Sequence, residues 1–155
     1  MSIRSVLRIA SVVALLQGLV HGFAIASYAP HHGPAEVAVL GAMRAQYFHF
    51  GGPWAHSYWE LYSGYAWLAA VNCFIEAAVF WIIAPWSDAV RISLLLWLFV
   101  VANLVHAALV LRFFFLTPLV PDLIVIACLV FALAQRQTRA SRAEPSPNCG
   151  DAITS

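Results

Sequence analysis

The chain has 155 residues, of which 63% are hydrophobic and only 10% charged, with a formal net charge of +1 and a mean hydropathy of +0.82. That balance lies outside the soluble globular range and identifies an integral membrane protein. The near-neutral charge argues against a nucleic-acid surface, and the length leaves no room for a soluble catalytic domain beside several spans.

Crossing a hydrocarbon core takes about 20 apolar residues in helical form. Four segments qualify: residues 9–28, 57–84 (most apolar from Tyr65 to Ala84), 92–111 and 116–134. They predict an all-α fold, a four-helix transmembrane bundle over residues 1–135, with a short amphipathic segment between the first two spans. Residues 136–155 lose the hydrophobic periodicity and are expected to form a disordered cytoplasmic tail.

The first span follows Arg4 and Arg8, and a signal peptide ending near Ala26-Ser27-Tyr28-Ala29 is the alternative reading. The apolar run continues past Val20, which favours a retained span. Gln17 and His21 are four apart and share a face, with Gly18 and Gly22 beside them. Such a glycine pair permits close approach of another helix.

Pro30-His31-His32-Gly33-Pro34 reads as a turn. Residues 35–50 are expected to form a short helix on the outer leaflet, ended by Gly51-Gly52-Pro53. Aromatic residues, among them Tyr47, Trp54, Tyr58, Trp59 and Tyr62, then crowd the expected membrane interface, where amphipathic rings anchor, with an aromatic ligand site as the alternative reading. In the second span Glu60 and Glu76 are sixteen residues apart, roughly 160° around a helix, so they do not form one acidic pair. Glu76 shares a face with Asn72, and the two are read as a structural polar pair. Asn103 and His106 share a face of the third span. Asp122 follows Pro118 and Pro121 at the start of the fourth, where capping and a functional role are equally compatible with its position.

Arg4, Arg8, Arg91, Arg136, Arg139 and Arg142 fall on one side of this arrangement, and Arg44 and Arg112 on the other. By the positive-inside rule both termini are expected to be cytoplasmic in a multi-pass inner-membrane protein, with the long first connection facing outward.

The string from Met43 to Tyr65 (MRAQYFHFGGPWAHSYWELYSGY) carries Met-Arg, a Phe-x-x-Gly element, Ser57-Tyr58-Trp59, the acid Glu60, Tyr62, and Gly64-Tyr65. It resembles the signature segment of an uncharacterised family of small four-span bacterial integral membrane proteins. His21 and the aromatic-proline element near Phe114 to Pro118 are similar too. The resemblance implies a four-span fold and brings no assigned reaction. A basic residue often precedes Ser-Tyr-Trp in that pattern, whereas this chain has His56.

No P-loop, dinucleotide or zinc-protease motif is present, and the cysteines show no metal or redox spacing. His31, His32, His49 and His56 lack regular ligand spacing, so no metal site is predicted. Three readings of the intramembrane polar residues remain. The first is binding of a small amphiphile, or of a membrane protein partner, in an outward-facing polar pocket built from Gln17, His21, Glu60, Asn103, His106 and Asp122. The second is a b-type haem held by His21 and His106, which come at one depth on their helices. The third is an intramembrane acid-base enzyme acting on a lipid-like substrate. With no catalytic motif, the non-enzymatic binding reading is taken, with no cofactor and with the lipid bilayer as the first partner.

Overall fold

The computed structural model describes residues 1–49, 51–87, 92–114 and 116–143. Among these residues the order is α1 (Ile3–Ala26), α2 (Pro34–Ala45), β1 (Tyr47–His49), β2 (Ala55–Ser57), α3 (Tyr58–Ile83), a 3-10 turn at Ala84–Trp86, α4 (Ile92–Phe113) and α5 (Leu119–Ala143). The all-α bundle expected from the sequence is observed. Four of its helices, α1, α3, α4 and α5, are long and apolar enough to cross a membrane, which makes the chain a multi-pass membrane protein.

The helices carry apolar residues around their whole circumference, as membrane spans do. On α4 the buried positions Ile92, Leu96, Val100, Asn103, Ala107 and Val110 recur every three to four residues and form one stripe. The rest of the helix exposes Leu94, Leu98, Val101, Leu104 and Val105. In water such a surface would be an aggregation hazard, whereas in a bilayer it is the lipid face.

Two compact units make up the chain. The first runs from Val12 to Ala78. In it α1 meets α3 at Gly18, where an added Cβ would lie 2.8 Å from the Phe74 ring and 3.1 Å from the Cys73 Cβ. Gly22 faces the Trp67 ring in the same way, at 3.3 Å. The glycine pair read from the sequence thus admits the neighbouring helix, because only a residue without Cβ leaves room for these side chains.

The second unit comprises Met1–Ser11 and the chain from Val79 onward. Ile3, Val6, Leu7 and Ala10 are buried in it, together with the α4 stripe and Val125, Leu129, Ala132 and Leu133 of α5. Phe80 and Phe99 meet edge to face, with centroids 5.0 Å apart, a favoured geometry for aromatic pairs. Arg136 of α5 donates to the Ser93 hydroxyl at 2.9 Å and to the Ser87 carbonyl. These bonds tie the end of α5 to the start of α4 and to the turn before it.

Three boundaries differ from the sequence reading. Helix α1 begins at Ile3 rather than near Ile9, because Ser2 caps it by accepting the Ser5 amide at 3.1 Å. Helix α5 continues to Ala143, so residues 136–143 of the expected disordered tail are helical. The stretch has no Gly or Pro and is rich in Gln, Arg and Ala, which are good helix formers, and Arg136 anchors it. Residues 144–155 of that tail lie outside the described residues. Finally, α2 stops at Ala45 and a hairpin follows, with Tyr47 opposite Ser57 and Phe48 opposite His56. Aromatic side chains favour strands, and Gly51 takes the positive φ of 62° that the turn requires.

Replacing Gly18 by Val should cost about 1–3 kcal/mol through overpacking against Phe74 and Cys73. Thermal unfolding in detergent should show a lowered midpoint. Gly64→Ala, where an added Cβ meets nothing within 4 Å, should hold or raise the midpoint because alanine is the better helix former, and an unlowered midpoint in the Gly18 variant would remove this account of the contact.

Candidate functional site

The local chemistry of the first unit is set by two helix starts. Helix α2 opens with Gly33 at its N-cap, in a positive-φ conformation (φ 93°) that favours glycine, followed by Pro34 at the first helical position. Gly33 has no side chain to cap the orphan amides. Glu36, in the first turn, instead turns its carboxylate back over the preceding loop. It accepts the backbone N–H groups of His31 at 2.6 Å and His32 at 2.7 Å, and the Tyr28 hydroxyl at 2.5 Å. The loop from the end of α1 to the start of α2 is thereby closed on one carboxylate. The Tyr28 hydroxyl and the loop donors hold the Glu36 carboxyl well below its ordinary range, at about 2. The same bond pushes the Tyr28 phenol up.

Helix α3 opens on a reciprocal cap. Ser57, buried at the end of β2, accepts the Glu60 amide on its hydroxyl at 3.1 Å, while Glu60 Oε2 accepts the Ser57 amide at 2.7 Å. This is a capping box, with N-cap replacements costing about 1 kcal/mol in typical helices. His56 Nδ1 stands 3.8 Å from the same carboxylate.

Those two starts assemble an aromatic groove. Trp59, in the first turn of α3, lies 5.5 Å from the Tyr28 ring and 5.7 Å from the Tyr62 ring, centroid to centroid. The Arg44 guanidinium, in the last turn of α2, sits 4.9 Å from the centre of the Trp59 ring, within cation–π range. The groove has a volume of about 350 Å³ and is lined by these rings with Glu36, Val39, Leu40 and Met43. Its chemistry is an apolar, aromatic slot with a fixed carboxylate in its wall and a guanidinium beside it. Apolar groups with a polar end suit such a lining.

The six residues read from the sequence as one pocket are distributed over both units: Gln17, His21 and Glu60 in the first, Asn103, His106 and Asp122 in the second. Gln17 and His21 are half-buried on α1. Glu60 serves the cap of its own helix. Asn103 is buried, and its side-chain amide donates to the Phe99 carbonyl at 3.0 Å, one turn back on α4. His106 and Asp122 do come together: His106 Nδ1 lies 2.9 Å from Asp122 Oδ2, joining α4 to α5. Asp122 is only 2% exposed, and its place in the first turn of α5 sets its charge at the positive end of that helix. On α3, Asn72 is exposed and Glu76 half-buried.

Glu36 was not among the site residues read from the sequence, which took the aromatic residues as interfacial anchors with an aromatic ligand site as the alternative. A signal existed: Gly-Pro-x-Glu at residues 33–36 and Ser-x-x-Glu at 57–60 both place a glutamate at the third helical position, from which a carboxylate reaches back over the chain.

Two measurements check these assignments. A carboxyl with a lowered value contributes stability above its ordinary range, about 4.5, and loses that contribution as pH falls towards about 2. Hydrogen-exchange protection of the His31 and His32 amides should therefore be flat from pH 7 to about 4.5 and decline towards pH 2. Glu36→Ala, which removes the acceptor, should lose it at every pH, and unchanged protection in that variant would contradict the clamp. For the helix pair, a double-mutant cycle with His106→Phe and Asp122→Leu should return a coupling of about 0.6–1.7 kcal/mol, the range of interhelical bonds in membranes. A coupling of zero would show that the pair does not hold α4 to α5. Set against known proteins, the chain matches no family model, no curated protein and no solved structure.

Proposed function

We propose that this protein binds a small amphiphile in the aromatic groove formed by Tyr28, α2 and the start of α3, on the outward side of a bacterial inner membrane, with both termini cytoplasmic. The observation that carries the reading is the convergence of Tyr28, Trp59 and Tyr62 on one slot whose loop is closed by the Glu36 carboxylate. Rigid aromatic walls bury an apolar group with little loss of side-chain freedom. Arg44 and Glu36 offer opposite charges to the two ends of a zwitterionic head. The orientation rests on the arginine distribution along the sequence. The function is recognition, and no reaction is assigned.

Lysophosphatidylcholine is a suitable probe, titrated onto the full chain in maltoside micelles with bound lipid read by native mass spectrometry. Trp59→Ala should weaken binding about tenfold or more, equivalent to at least about 1.4 kcal/mol, and Arg44→Gln by a smaller factor. Equal affinity in wild type and Trp59→Ala would overturn the reading. In intact cells His32→Cys, at a position whose side chain is 85% exposed, should react with an impermeant maleimide. Reaction only after permeabilisation would reverse the orientation.

A further inference from the structure

A second groove lies in the other unit, along the last turns of α5. Its volume is about 400 Å³, and its lining includes Met1, Phe131, Gln135, Thr138, Arg139 and Arg142. Gln135 donates to the Met1 carbonyl at 2.9 Å and so fixes the start of the chain as the groove's wall. From Phe131 to Arg142 is eleven residues, about 16 Å along a helix. Phe131 belongs to the apolar part of α5 and is 44% exposed, whereas Arg139 and Arg142 stand beyond the end of the apolar run at Ala134. One groove therefore passes from hydrocarbon depth into the headgroup region, apolar at one end and cationic at the other.

The charge around it is one-sided. Arg4, Arg8 and Arg136 belong to the same end of this unit, where Arg8 rests 4.8 Å from the centre of the Trp81 ring. Asp122, the acid of this unit among the described residues, stands in the first turn of α5 at its opposite end. In the sequence alone, the N-terminal segment, the connection before α4 and the chain after Ala134 together carry six arginines (4, 8, 91, 136, 139 and 142) and three acids (88, 144 and 151). Basic side chains at the membrane surface attract anionic lipid, and arginine binds phosphate oxygens through paired N–H groups. A soluble phosphate would meet the arginines alone and leave the Phe131 end uncovered.

We infer that this groove is a binding site for one anionic glycerophospholipid, with the phosphate on Arg139 and Arg142 and an acyl chain along Phe131. The site is separate from the aromatic groove, and its occupancy does not depend on the function proposed there.

The full chain, purified in maltoside, is titrated with dioleoyl phosphatidylglycerol or dioleoyl phosphatidylcholine, and the retained lipid is counted by native mass spectrometry. Wild type should retain the anionic lipid about tenfold better. The double variant Arg139→Gln/Arg142→Gln should bring the two lipids close to parity, Arg139→Lys/Arg142→Lys should keep most of the preference, and Arg112→Gln should keep all of it. Both positions are exposed at a helix end, and circular dichroism of the variants checks that α5 is retained. No preference in wild type, or a preference surviving the double Gln change in a folded protein, would overturn the site. Displacement of the lipid by millimolar inorganic phosphate would overturn it too, by assigning the arginines to a free anion.

Discussion

Hydrocarbon offers no hydrogen-bond partner, so a polar group carried into the membrane must be closed by the chain itself. That constraint organises most of the polar geometry in this protein. Asn103 and Ser63 return their donors to carbonyls one turn back on their own helices. Asp122 is buried at the start of α5 and meets His106 of α4. Arg136 spends its donors on Ser93 and on the turn before α4. On α4 the exposed side chains are then mostly apolar, among them Leu94, Leu98, Val101, Leu104 and Val105, and lipid is their natural cover.

The same requirement operates at the helix starts of the first unit, and there it shapes a site. Four amides at the beginning of any helix lack partners within it. Glu36 serves the loop amides ahead of α2, and Glu60 serves Ser57 at the start of α3. Each closure positions aromatic residues as a by-product: the first fixes Tyr28, and the second fixes the phase of α3, so that Trp59 and Tyr62, three residues apart, share the face turned to Tyr28. A groove suited to an amphiphile thus arises from capping chemistry rather than from a set of intramembrane ionisable groups.

Much of the fold was legible in the sequence because apolar length is a direct reading of the bilayer's thickness. The four spans and the Gly18/Gly22 approach needed only composition and a period of 3.6. The ends of the helices were less legible, since Ser2 and the helix-forming run after Ala134 act through local propensity that hydropathy does not register. The candidate site was legible only in fragments. Shared faces relate residues of one helix only, as in the grouping of Gln17 with His21 and of Asn103 with His106. They carry no information on which helices meet, so the His106–Asp122 contact appeared only as one combination among several. At Glu60 the legible signal is Ser-x-x-Glu before an apolar run, which marks a helix cap.

Ser57 holds two positions at once, paired with Tyr47 across the hairpin and capping α3. Phe48 in turn stacks on Tyr58, the first residue of the helix, with ring centroids 4.4 Å apart. A shift of one residue in the strand pairing would turn His56 and Ser57 to the opposite face and take the hydroxyl away from the helix it caps. The hairpin is accordingly not a spacer of free length: one residue, Ser57, ties its register to the first turn of α3.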